Sequence, residues 1–133
     1  MSKANVDVIQ GIYDAFARGD VGAVLSAMTP GMVWREAENH PYADRNPYIG
    51  LDAIVQGVFA RLGTEWDGFG VVVDDILDAG DKIVALGRYR GTCKKTGKSI
   101  HAQVAHVWTM ENGKAASFQQ FTDTLQITRA MEP

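Results

Sequence analysis

The second half of the chain constrains the fold most. From Phe69 onward, four runs rich in strand-forming residues follow one another: Val71 to Leu77, Lys82 to Cys93, Ser99 to Met110 and Ala115 to Thr128. The connections Ala79-Gly80-Asp81, Lys95-Thr96-Gly97 and Asn112-Gly113 are short, and Asn-Gly is a strong local hairpin signal. The pattern predicts an antiparallel meander of four strands. Runs of roughly 12 residues exceed the usual strand length, so the sheet is expected to be strongly curved, with Gly87 and Gly91 as bulge positions.

The first half has a different period. Val8, Ile9, Ile12, Tyr13 and Phe16 recur at helical spacing, with Ser2 as a capping residue and Gly19 as the stop. Asp20 opens a shorter helix whose stripe is Val21, Val24, Leu25 and Met28, ended by Thr29 and Pro30. Met32 to Glu36 reads as a short strand, and Ala37 to Gly50 as an irregular loop carrying Pro41 and Pro47. A third helix is expected over Asp52 to Leu62, with Gly63 ending it. These three helices must bury their stripes against the sheet, giving an α+β fold with a concave interior suited to a small ligand.

Without internal repeats or linkers, 133 residues are expected to form one domain over 1–133. A net charge of -3, with Lys94-Lys95 as the longest basic run, excludes the electrostatic footprint of a nucleic-acid or anionic-membrane binder. The opening MSKANVDVIQ lacks the apolar core of a secretory signal, and no stretch approaches the length of a membrane helix. Cys93 has no partner for a disulfide, so a cytoplasmic protein is expected. The histidine and cysteine spacings match no zinc pattern, and neither GxGxxG nor a phosphate-binding loop occurs. The expected chemistry uses no cofactor.

Polar residues on apolar faces supply the site candidates, because residues two apart on a strand share a face. Asp123 falls with Phe121, Leu125 and Ile127, and Glu36 with Met32 and Trp34. A buried carboxylate must be paired, protonated or solvated by a pocket, so each is either a structural hydrogen-bonding group or a functional acid. His106 lies between Val104 and Trp108, where it is either a satisfied core histidine or a group able to exchange protons. Arg88 and Arg90 share a parity with Val84 and Leu86 unless a bulge at Gly87 intervenes, so either could point inward to a carboxylate. Arg90 is taken as the site candidate, and His40 and Tyr42 sit in the proline-bearing loop as rim residues. Asp123 and His106 are expected to share a cavity, on neighbouring strands.

The segments IYDAFARGDVGAVLSAMTPGMVWRE, GLDAI, GRYRGT with TGK, and HVWTMENGK running into FQQFTDT resemble the SnoaL-like branch of the nuclear-transport-factor-2 and ketosteroid-isomerase superfamily. The resemblance spans nearly the whole chain. It implies a cone of the NTF2-like, cystatin-like type, a strongly curved antiparallel sheet packed with the three helices of the N-terminal half. It also implies a homodimer through the outer sheet face. Against ketosteroid isomerases, Glu36 matches the carboxylate base, whereas Ile12 stands at the oxyanion-donating tyrosine and His106 at the protonated aspartate. Against limonene-type epoxide hydrolases, Asp123 and Arg90 match an acid and an arginine, while Thr92 stands at the other acid. SnoaL-like cyclases draw a histidine and an aspartate from the sheet, as His106 and Asp123 would be drawn here.

Two functions follow as expectations, since this fold serves many chemistries. One is a cofactor-free acid/base enzyme of isomerase, cyclase, dehydratase or hydrolase type, acting on a small, largely apolar compound that bears oxygen or a ring. In it Glu36, Asp123 and His106 are catalytic, and Trp34, Arg90, Trp108, Phe121, His40 and Tyr42 bind substrate. The other is a noncatalytic ligand-binding or dimerisation domain in which the same groups satisfy one another.

Overall fold

The structure, a computed structural model, describes residues 2–133, and the capping role expected of Ser2 falls outside its described side chains. Helix α1 (Ser2–Ala17) buries Ile9, Ile12 and Tyr13 on one face, as the spacing requires. The Asp20 carboxylate caps α2 (Val21–Ser26) by accepting the Ala23 N–H at 3.0 Å. Strand β1 (Met28–Arg35) begins earlier than expected, because Pro30 falls in an irregular stretch between the paired residues Met28 and Val33 where it interrupts no ladder bond.

After a short turn of 3-10 helix at Pro41–Arg45 and strand β2 (Tyr48–Ile49), one helical run extends from Leu51 to Glu65. It comprises α3 (Leu51–Ile54), a widened π turn (Val55–Phe59) and α4 (Ala60–Glu65). Gly63 lies inside α4 and does not end it. The stop is Trp66, which turns extended while its indole N–H donates to the Tyr42 hydroxyl at 3.2 Å. Gly57 is needed within the π turn, because a Cβ there would lie 2.1 Å from the Tyr48 ring.

Strands β3 (Trp66–Ala79), β4 (Lys82–Cys93), β5 (Ser99–Glu111) and β6 (Lys114–Thr122) form the expected meander. The complete sheet has six strands in the order β2-β1-β6-β5-β4-β3 and is mixed rather than purely antiparallel, since β1 runs parallel to β6. The helical run and the meander together supply the long connection that parallel pairing demands. β6 carries a bulge opposite Thr109 and Met110, β4 is regular against β5, and two further bulges lie on β3, between Asp67 and Gly70 and between Val73 and Asp75. Gly87 and Gly91 serve those bulges from the neighbouring strand. A Cβ on Gly87 would lie 2.0 Å from the Val72 carbonyl oxygen, so the bulged backbone can approach only a glycine.

The run Ala115 to Thr128 is two elements. Strand β6 stops at Thr122, and α5 (Thr124–Met131) follows, burying Ile127 and Ala130. Asp123 caps α5, accepting the Gln126 N–H at 3.1 Å and the Gln126 amide at 3.2 Å. Asp with Gln three residues on is a helix-start signature that the β-branched residues around it obscure. Asp123→Ala should therefore lower stability to urea by about 1 kcal/mol, while the near-ultraviolet signal of the buried tryptophans stays unchanged.

Candidate functional site

The inner face of the sheet and the helices covering it do not meet everywhere. Between α1, the π turn and strands β1, β3, β4, β5 and β6 lies a cavity of about 450 Å³. Aromatic rings form much of its wall. Trp34 stacks on Phe118 at 3.8 Å and meets Phe59 and Trp108 edge-on at 5.4 and 5.8 Å. These rings fill space and leave few polar groups to direct a ligand.

Glu36 is one of those groups, only 3% exposed and facing the cavity just beyond the end of β1. Its backbone is held on both sides: Glu36 N–H donates to Asn46 Oδ1 at 3.0 Å, and Asn46 Nδ2 donates to the Glu36 carbonyl at 2.8 Å. Trp34 Nε1 donates to Oε2 at 3.1 Å, and among the described residues no other donor reaches the carboxylate. Burial raises its pKa to about 7, against the lesser opposing effects of the Trp34 bond and the Arg61 charge.

His106 and Trp108 also line the cavity from β5. His106 is clamped at both nitrogens, Nδ1 lying 2.5 Å from the Tyr13 hydroxyl and Nε2 2.6 Å from the Tyr89 hydroxyl. Trp108 Nε1 donates to Tyr13 at 3.0 Å, and Gln120 Nε2 donates to Tyr89 at 2.7 Å. Burial lowers the imidazole pKa to about 3, so the ring is neutral at physiological pH. Burial likewise pushes both tyrosines upward, which keeps them as phenols.

His40 lines the cavity too, with Nδ1 accepting the Tyr42 N–H at 2.9 Å. That bond leaves the proton of the neutral ring on Nε2. Burial, helped by the Arg61 charge, lowers its pKa to about 4. Arg90 lies at the cavity rim, where it donates to the Gly68 carbonyl at 2.9 Å.

Three expected positions differ. Asp123 does have the parity of Phe121, but both belong to the outer side of the sheet: the register pairs Phe121 with Ala105 and sets Gln120, not Asp123, opposite His106. Asp123 is exposed at the start of α5 and cannot share a cavity with His106, while Phe121 is 54% exposed. Tyr42 is buried behind the cavity wall, donating to Glu65 and lying under the Arg61 guanidinium at 4.4 Å.

Tyr13, Tyr89 and Gln120 are the polar wall residues that sequence reasoning passed over. Tyr13 reads as part of a helical apolar stripe, and Tyr89 lies between two arginines that draw the eye. Gln120 carried a usable signal, since it alternates with Phe118 on the inner face. Among the described residues, no group of three His, Cys, Asp or Glu side chains is placed to hold a metal ion.

The sequence from residue 9 to 118 matches the SnoaL-like domain family, and the chain belongs to it. An NTF2-like protein from Burkholderia thailandensis is 42% identical, superimposes with a TM-score of 0.92, and is covered over 98% of its length by 97% of this chain. TerC, crystallised with polyporic acid, is 25% identical with a TM-score of 0.87, the match covering 98% of this chain and 99% of that one. A SnoaL-like polyketide cyclase assignment from Jannaschia, at 20% identity and a TM-score of 0.84 over 99% and 94% of the two chains, shares the fold. No curated protein sequence matches the chain.

The Glu36 environment has a measurable sign. Its folded pKa of about 7 lies above the ordinary 4.5, so the stability due to the neutral form is complete below about pH 4.5 and is lost as pH rises through 7. Glu36→Gln keeps an acceptor for Trp34 and never ionises. Above pH 7 it should exceed the parent protein in stability by about 3 kcal/mol, and thermal denaturation should show the difference vanishing below about pH 4.5.

Proposed function

We propose that the chain binds a small, largely apolar, oxygen-bearing compound in this cavity and catalyses a cofactor-free proton transfer on it, with Glu36 as the proton acceptor. The observation that carries this reading is the carboxylate: buried, raised to about 7, held at one oxygen by Trp34 and facing an aromatic cavity. A base with that pKa is half ionised near neutrality and still strong enough to take a proton from carbon beside a carbonyl. The proton moves to Glu36, the C–H electron pair becomes a C=C bond, and the carbonyl π pair collects on oxygen. Return of the proton to the same or another carbon completes an exchange or an isomerisation.

Trp34, Trp108 and Phe59 supply the apolar contact, and His40 and Arg90 stand at the edges of the cavity where a second polar group of the substrate would reach. His106 acts here through the tyrosines it holds, because a ring with pKa about 3 and both nitrogens bonded is a poor proton carrier. The co-crystallised relative supports a small molecule as the occupant of such a site. With its lone cysteine the protein fits the cytoplasm, and one domain over 1–133 suffices for the reading.

Hydrogen–deuterium exchange at carbon next to the carbonyl, screened by NMR over small ketones, tests the reaction. Exchange should rise with pH through about 7 and then level, and Glu36→Gln should lose at least about a hundredfold. A folded Glu36→Gln protein exchanging at the parent rate would remove Glu36 as the base, and a parent protein that exchanges no faster than the uncatalysed ketone would favour the noncatalytic binding domain.

The outer sheet face belongs to the same proposal. Leu86, Ala105 and Phe121 lie in register across β4, β5 and β6, beside the pair Val84 and Val107. Leu86 and Phe121 are 37% and 54% exposed, an apolar row that a second copy of the chain would cover. Sedimentation at micromolar concentration should give a homodimer, and Phe121→Lys should shift it toward monomer.

A further inference from the structure

The hydrogen bonds around His106 contain one proton too many. Tyr13 oxygen accepts from Trp108 Nε1, and an indole N–H can only donate. Tyr89 oxygen accepts from Gln120 Nε2, and the amide cannot be turned over because Gln120 Oε1 already accepts the Ala37 N–H at 3.0 Å. Between the tyrosines stand the two contacts to His106, at 2.5 and 2.6 Å. A neutral ring brings one proton and each phenol one, giving three protons for two contacts. Whichever nitrogen carries the ring proton, one tyrosine hydroxyl hydrogen has no acceptor among the described residues.

If Nδ1 carries the proton, Tyr13 accepts it and its own hydrogen is spare. If Nε2 carries it, Tyr89 accepts two N–H bonds and has the spare hydrogen. Both hydroxyl-bearing residues line the cavity. Burial first, and then the Glu36 charge, raise the Tyr89 pKa, so Tyr89 is the phenol that feels that carboxylate. Gln120 also fixes the spacing, since one amide bonds both Tyr89 and the backbone next to Glu36. A phenol oxygen that accepts two N–H bonds is in turn a stronger donor.

We infer that the Tyr89 hydroxyl is the ligand-facing donor of the cavity, and that the site selects compounds presenting a carbonyl or enolate oxygen to it. This rests on the reading of the cavity as a proton-transfer site and supplies what that reading lacks, a partner for the oxygen on which charge collects. The arrangement offers the ligand a donor in every tautomer, so matched hydrocarbons gain nothing from it.

Acetophenone and ethylbenzene differ only by the carbonyl and serve as probes. Acetophenone should bind at least about tenfold tighter, and its carbonyl stretch should fall in frequency on binding. Tyr89→Phe should remove most of both effects while ethylbenzene binding stays within about twofold. Fluorotyrosine in place of Tyr89, a more acidic phenol of nearly the same shape, should lower the stretch further; it carries the test if the phenylalanine variant fails to fold. Equal binding of the two probes, or no binding of acetophenone, overturns the inference. If acetophenone binds and exchanges its methyl protons but its stretch is the same with tyrosine, phenylalanine and fluorotyrosine, Tyr89 is not the donor and the Glu36 reading stands. If the stretch follows residue 89 and no exchange occurs, Tyr89 is the donor and the Glu36 reading falls.

Discussion

An imidazole buried among aromatic rings has two nitrogens to satisfy, and the way this chain satisfies them ties the molecule together. Through Tyr13 the ring reaches α1, through Tyr89 it reaches β4, and through Gln120 the same set reaches β6 and the backbone at Ala37. Trp108 joins from β5 itself. Truncating any one member would leave a buried polar partner without its hydrogen bond, a cost that a purely apolar core does not carry. The network therefore specifies one arrangement of helix and sheet, and that arrangement holds the cavity open.

Glu36 depends on the same frame for its position but not for its charge. Its backbone is fixed by Asn46, and its neighbour Ala37 by Gln120, so the carboxylate stands where it is although ionising it there is unfavourable. A structural carboxylate in such a place would be expected to meet a cation directly. Here the Arg61 guanidinium is bound to Asp44 at 2.8 and 3.1 Å, so Glu36 feels its charge without its contact. Unfavourable ionisation beside a cavity is what a base needs and what stability opposes.

Periodicity made most of the architecture readable. The helical stripe of α1, the cap at Asp20 and the meander from β3 to β6 follow from residue spacing and turn chemistry. The parallel pairing of β1 with β6 did not show, because a long crossover leaves no local pattern. Helix α5 was hidden by Thr122, Thr124, Ile127 and Thr128, strand formers that yield to the Asp123 cap and to burial of Ile127. Within the site, Glu36, His106, Trp34 and Trp108 stood out as polar or bulky groups of the right parity. Asp123 had the right parity too, but parity alone does not say which face is inside.

The departures from ketosteroid isomerases noted in the sequence acquire a physical sense in the structure. Ile12, at the position matching that family's tyrosine donor, is 1% exposed and packed in the core, while Tyr13 beside it points its hydroxyl at His106. A histidine in place of a protonated aspartate cannot serve as a neutral acid on its own terms, since its single proton is shared between two tyrosine contacts. What it can do is pass the role of donor to one of them. On the reading proposed above, the carboxylate at Glu36 would face a hydrogen bond from a phenol braced by an imidazole and an amide, in place of the helix and strand side chains that ketosteroid isomerases use.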